Sequence, residues 1–216
     1  MLFRAWPPII AAMQGTSPRA DDGLSADLRA RIAALIADGR DFFERFDSDV
    51  RQHHFHPFVP ADYDSVLQEL LSLRAPGLRF LEWGSATGVV TIMADLLGFE
   101  AFGIELDSEL VRVARSLALK HGSRAQFAVG SFLPTGYEWK SSSGDGRLGT
   151  IGEGRSGYLE LGHPLEDFDI VFAYPWGGEE AVMQDVMRRY AGDGARLVLH
   201  GFVHTVHVYR DPRRAR

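Results

Sequence analysis

The stretch Phe80–Val90, "FLEWGSATGVV", decides how the rest of the chain is read. A short apolar run ends in Gly84, small residues follow, and a second apolar run begins at Val89. That is the pattern of a strand turning into a helix through a loop whose backbone can approach a ligand and aim helix N–H groups at it. Counted from Gly84, the dinucleotide pattern GxGxxG finds only its first glycine, because Ala86 and Val89 stand at the other two positions. An acid, Glu82, lies two residues ahead of Gly84, and a further glycine, Gly88, lies four residues after it.

Outward from this loop, strand-like and helix-like segments alternate. "RFLEW" reads as a strand, Thr87 to Leu97 as a helix, "EAFGIEL" as a strand, and Ser108 to His121 as a helix with Leu110, Val113, Ala114 and Leu117 on one face. "AQFAV" and "DFDIVFAY" read as the third and fourth strands, Glu179 to Tyr190 as a helix with Val182, Met183, Val186, Met187 and Tyr190 inward, and "ARLVLHGF" as the fifth strand. Such alternation calls for a mostly parallel sheet covered by helices, the Rossmann-like doubly wound α/β class. With "TVHVYR" as the remaining strand-like segment, the sheet is expected to be abbreviated to six strands.

Ahead of the sheet, Leu28, Ile32, Leu35, Ile36, Phe42, Phe43 and Phe46 follow helical spacing and predict a docking helix. A histidine-rich connector, "DSDVRQHHFHPFVPADY", leads to a second helix with Tyr63, Val66, Leu67, Leu70 and Leu71 on its face, which ends near "RAPG". The expected division is an N-terminal arm, helix and connector over 1–60 and an α/β domain over 61–216. Within that domain Thr135 to Glu166, rich in Gly and Ser, reads as an inserted loop, either a lid or a passive insertion.

Composition narrows the function. The 216 residues carry 45% hydrophobic and 24% charged side chains, as an ordinary soluble domain does. A net charge of −6 weighs against nucleic acid as a partner, and the one strongly basic run is the terminal "RDPRRAR". There is no cysteine, which excludes disulfides and thiolate chemistry and fits a reducing cytoplasm. The opening "MLFRAWPPIIAAMQG" is interrupted by Pro7 and Pro8 and is too short to span a membrane. It reads as a flexible or docking arm, with a signal peptide as the alternative.

The strand after the loop ends in "GIELD", putting Glu105 about twenty residues on, where a carboxylate can accept both ribose hydroxyls. Asp107 reads as the N-cap of the next helix. With "LEWGSATG" (acid-x-Gly-x-Ala-x-Gly) and "GIELD" together, the chain resembles the class I S-adenosylmethionine-dependent methyltransferases over about Pro60 to Phe202. The segment "FVPADYDSVLQELL" makes it similar to small single-domain enzymes related to protein-lysine methyltransferases.

The resemblance implies S-adenosyl-L-methionine as the cofactor. It implies that Gly84, Ser85, Ala86 and Gly88 border the methionine part, that Glu82 meets its amino group, and that Glu105, with Leu106 beside it, holds the ribose. At the end of the third strand, "VGSF" brings Gly130, Ser131 and Phe132 to the adenine, Ser131 by a hydrogen bond and Phe132 by packing on the ring.

After the fourth strand, "AYPWGGEE" occupies the place of an acceptor-side motif whose usual first residue is Asn or Asp. Ala173 supplies no polar side chain, which weakens a DNA-adenine reading further. Tyr174 and Trp176 are candidates for an aromatic wall around a sulfonium and an amine, against the alternative of aromatics capping the sheet edge. Glu179 and Glu180 read as acceptor-site acids or as partners of a helix dipole. His200, at the end of the fifth strand, is the candidate general base, against a satisfied polar residue at a strand end. His53, His54, His56, His204 and His207 form no spacing specific for a metal.

The expected function is methyl transfer to a small-molecule or protein acceptor, with nitrogen slightly favoured. The alternatives are a cofactor-binding or scaffold protein of the same fold, and a nicotinamide-dependent oxidoreductase.

Overall fold

A computed structural model describes residues 23–51, 58–139, 150–176, 178–200 and, for backbone only, 205–208. The opening arm, His53, His54 and His56 of the connector, His204 and the basic tail lie outside the described residues. The chain order is α1 (Ala26–Phe46), continued by a π-turn at Asp47–Arg51, then α2 (Tyr63–Leu73), β1 (Arg79–Trp83), α3 (Val89–Leu96), β2 (Glu100–Glu105), α4 (Ser108–Lys120) and β3 (Gln126–Val129). A one-turn helix, α5 (Tyr158–Leu161), a 3₁₀ turn at Leu165–Asp167, β4 (Ile170–Ala173), α6 (Glu180–Tyr190), β5 (Arg196–Leu199) and β6 (Thr205–Val208) complete it.

The strands form a six-stranded sheet in the order β3-β2-β1-β4-β5-β6, parallel except for the antiparallel β5–β6 pair. This is the expected Rossmann-like doubly wound architecture. Strand order reverses between β1 and β4, and an open sheet leaves its ligand crevice at the carboxyl ends of such a pair. Among the described residues no helix is long and apolar enough to cross a membrane.

Alternation along β1 distributes two cores. Phe80 joins a cluster with α1, α2, α3 and α4, including Ile32, Leu35, Val66, Leu70, Ile92 and Val111. Leu81 and Trp83 point the other way, into a cluster with Tyr158, Phe168, Met183, Val186 and Met187. A strand buried on both faces must be apolar throughout, so Glu82 in its middle, 7% exposed, requires a reason.

The helix starts follow capping chemistry. The Ser25 side chain accepts the Leu28 N–H, Asp62 accepts Ser65 N–H, and Asp107 accepts Glu109 and Leu110 N–H, the last as the sequence suggested. α3 begins two residues later than the expected Thr87, because Gly88 adopts φ 75° and serves as its N-cap. On α4 the inward face is Leu110, Val111, Ala114 and Ala118. Val113 and Leu117, expected inward, are half-buried and line a groove with Phe42 and Phe46 of α1. The inserted region is less irregular than its composition implied, since it contains α5 and the 3₁₀ turn. A single helical turn between Gly157 and Gly162 is too short to show a period.

Candidate functional site

The glycine loop is built by hydrogen bonds from the end of β1. Gly84 and Ser85 N–H both donate to the Ile104 carbonyl, at 2.9 and 3.0 Å, and Gly88 N–H donates to Ser85 at 2.7 Å. Gly84 and Gly88 have φ 71° and 75°, and Ala86 shares the left-handed region at φ 45°. Gly88 is also fixed by packing, since a Cβ there would lie 2.6 Å from the Phe127 ring. The Ser85 side chain turns inward against Gly103, and its hydroxyl has no partner among the described residues. Of Ser85, the backbone is what borders the crevice.

The two acids flank this loop differently. Glu105 accepts Ala86 N–H and Asp107 N–H, each at 2.9 Å, so one carboxylate joins the glycine loop to the turn after β2. Burial raises its pKa, opposed by these backbone bonds. Glu82 turns toward the start of α3, where its Oε2 accepts the N–H of Thr91 at 2.9 Å and the Thr91 hydroxyl. The otherwise unsatisfied first-turn amide of a helix explains an acid inside the sheet. Burial pushes the Glu82 carboxyl up to about 8, despite both Thr91 bonds. Tyr63, 4% exposed, sits nearby against Thr87, its phenol raised by burial and by the Glu82 charge.

At the end of β3 the expected adenine contacts are redirected. Phe132 is 2% exposed and stacks on Trp83, centroids 4.6 Å apart and planes 10° off parallel. It is a core residue beneath the sheet, because the turn after β3 sends it to the Trp83 face. The Ser131 hydroxyl donates to the Gly152 carbonyl at 2.8 Å, so the chain itself takes that donor. Gly130 is required by close approach, since a Cβ there would lie 2.4 Å from the Arg155 carbonyl oxygen.

Those contacts belong to Thr150–Gly157, which crosses the carboxyl ends of the strands. A Cβ on Gly84 would lie 2.4 Å from the Thr150 methyl, and one on Gly152 would lie 2.4 Å from Leu106. The Thr150 hydroxyl donates to the Tyr174 carbonyl at 3.1 Å, and Ile151 N–H donates to Glu179 at 2.9 Å. The sequence placed this segment within the Thr135 to Glu166 insertion but not its contacts to the glycine loop, for which its glycines at 152, 154 and 157 were the one signal.

After β4, the candidate acceptor-side residues Tyr174 and Trp176 are both half-buried. His200, 8% exposed, has its ring 5.7 Å from Tyr174 and 5.9 Å from Phe172. Two of the three acceptor-side candidates therefore lie together. Glu179 accepts Trp176 N–H at 2.9 Å as well as Ile151 N–H, and burial raises its pKa. Glu180 accepts Gly178 N–H at 3.0 Å. Among the described residues, no group of three or more His, Asp or Glu side chains could hold a metal ion.

No protein-family model matches the chain. Over 138 residues, 64% of this chain, it is 25% identical to the ribosomal protein L11 methyltransferase of Thermus thermophilus, and it spans 44% of that relative's length. Similar solved structures include an RNA methyltransferase from Salinibacter ruber in complex with S-adenosyl-L-homocysteine, with TM-score 0.46, 18% identity, and 73% of this chain and 82% of that chain covered. Another is an S-adenosylmethionine-dependent methyltransferase from Thiobacillus denitrificans in complex with the same product, with TM-score 0.45, 19% identity, and 73% and 54% covered.

Proposed function

We propose that this chain is an S-adenosylmethionine-dependent methyltransferase. The observation that carries the reading is the direct junction of Glu105 to the glycine loop through Ala86 N–H at 2.9 Å, at the carboxyl edge where the strand order reverses. A carboxylate there suits ribose hydroxyls, and backbone at Gly84–Gly88 suits the polar end of the cofactor. Glu82 meets the amino group of the methionine part through Oε1, its Oε2 being held by Thr91. Gly130, Ser131 and Leu106 border the adenine side through backbone and apolar surface, without the Phe132 ring. The match to a relative named as a ribosomal protein methyltransferase supports the same reading.

The cofactor supplies an activated methyl group, and transfer is an in-line displacement that needs position and a dry site. Tyr174 and Trp176 wall the acceptor side, and His200 beside Tyr174 receives the proton of the incoming nucleophile. The acceptor is a nitrogen on a protein or small molecule, in a cytoplasmic setting that suits a cysteine-free chain.

Calorimetric titration with S-adenosylmethionine and S-adenosylhomocysteine, with NAD as the comparison, tests the reading. Glu105→Ala should weaken binding of both adenosyl ligands by about 1.5–3 kcal/mol through lost charged hydrogen bonds. Unchanged affinity in the folded variant removes Glu105 from the site, and preference for NAD removes the function.

One observation favours a second reading. Thr150–Gly157 already covers the loop, as it would in a protein that keeps the fold without using the cofactor. Failure of both adenosyl ligands to bind would select it.

A further inference from the structure

The covering segment is held unevenly. At its far end two backbone bonds root it to the turn after β3, Ser131 N–H to Arg155 at 2.9 Å and Gly157 N–H to Ser131 at 2.9 Å. At its near end the hold depends on side chains. These are the Thr150 hydroxyl on Tyr174, the Ser131 hydroxyl on Gly152 and the Glu179 carboxylate on Ile151 N–H. Ile151, 6% exposed, is the one side chain of this end buried in the core. The near end is thus held by side-chain bonds that single substitutions remove, whereas the root is held backbone to backbone.

The position matters because the Thr150 methyl occupies the space directly above Gly84, and Gly152 lies on Leu106 beside Glu105. A ligand laid along the glycine loop and Glu105 needs that space. Glu179 and Thr150 also reach the acceptor side, since Glu179 takes Trp176 N–H with the same carboxyl group and Thr150 bonds the Tyr174 carbonyl.

We propose that Thr150–Gly154 is a gate over the adenosyl site, rooted at Arg155–Gly157 and latched by Glu179, and that cofactor binding opens it and releases the Tyr174–Trp176 loop. This rests on the methyltransferase reading and adds an order of events. Cofactor binds first, and the acceptor pocket forms after the latch is vacated. Glu179 acts here as a positioning residue, touching neither cofactor nor acceptor.

The test is hydrogen exchange on the full chain with and without S-adenosylhomocysteine, beside calorimetry on the wild type, Thr150→Ala and Glu179→Gln. Thr150→Ala removes the methyl above Gly84 and the bond to Tyr174. Glu179→Gln weakens the latch while keeping its shape. Each should raise affinity for S-adenosylhomocysteine about three- to tenfold by favouring the open state. In the wild type the ligand should speed exchange at Ile151–Gly154 while Ala86 slows. Binding by the variants with none by the wild type also supports a gate. Wild-type binding with unchanged exchange at Ile151–Gly154 and unchanged affinity in both variants overturns the gate and leaves the methyltransferase reading standing. No binding by any of the three proteins overturns both.

Discussion

Replacing Glu82 by glutamine keeps the size of the side chain and an oxygen for Thr91 while removing a proton that the buried site holds tightly. In the folded protein burial pushes this carboxyl up to about 8, from the usual 4.5. Between those values the native state carries a proton that the unfolded chain has released. Stability therefore falls as pH rises through the window, and the loss is complete above the raised value. A displacement of that size penalises the ionised native form by about 5 kcal/mol, of which about 4 kcal/mol is expressed between about pH 5 and pH 8. Urea denaturation of both proteins across that window measures it. The wild type should lose up to about 4 kcal/mol relative to Glu82→Gln, whose profile lacks this titration. Parallel profiles would show that Glu82 is ionised and adequately solvated in the fold, and the account of its burial would fail. A cationic amino group beside Glu82 favours the charged form, so S-adenosylhomocysteine should release protons on binding near neutral pH. Calorimetry in buffers of different ionisation enthalpy reads that release.

Tyr158→Phe strands the Trp83 indole N–H, which now donates to the Tyr158 hydroxyl at 2.8 Å in a buried setting, and should cost about 1–3 kcal/mol in denaturant unfolding. Adding Trp83→Phe should cost less than the two single losses predict. Ala86→Gly should be tolerated and should stabilise by up to about 1 kcal/mol, because Ala86 holds φ 45°. Ala86→Leu should abolish S-adenosylhomocysteine binding in calorimetry while remaining folded by circular dichroism. Once an acceptor is found, Trp176→Ala should lower methyl transfer at least about tenfold, roughly 1.4 kcal/mol of barrier, with cofactor affinity little changed. Undiminished transfer would leave Trp176 a packing residue.

Periodicity made most of the sheet and its helices legible, because apolar runs bounded by glycine leave few alternatives. β1 over Arg79–Trp83 and the Asp107 cap follow the sequence reading directly. What escaped it was direction. The residue pattern "VGSF" does not tell that Phe132 stacks on Trp83 or that the Ser131 hydroxyl is taken by Gly152, since the first partner lies about fifty residues back in β1 and the second about twenty residues further on. Glu82 was legible as an acid just ahead of the glycine loop, and its bond to Thr91 became visible only when α3 was set against β1. Glu179 read as an acceptor-site acid or a dipole partner, and its actual bonds run to Ile151 and Trp176. Tyr63 read as one apolar helix residue, and its neighbours Glu82 and Thr87 come from segments that the sequence leaves apart.

The split of the core by β1 alternation has a consequence for how this molecule can change. Glu82 and its Thr91 bonds belong to the face built with α1, α2, α3 and α4, whereas Trp83, Phe132, Tyr158 and Ile151 belong to the opposite face. Residues on opposite faces share few neighbours, and distant sites without shared partners combine nearly additively. The covering segment can thus drift in sequence, or be exchanged for another, with the buried acid and its helix cap left undisturbed. The sheet works as a partition between the two cores, and the Thr150 methyl above Gly84 is a point where the covering segment still meets the glycine loop.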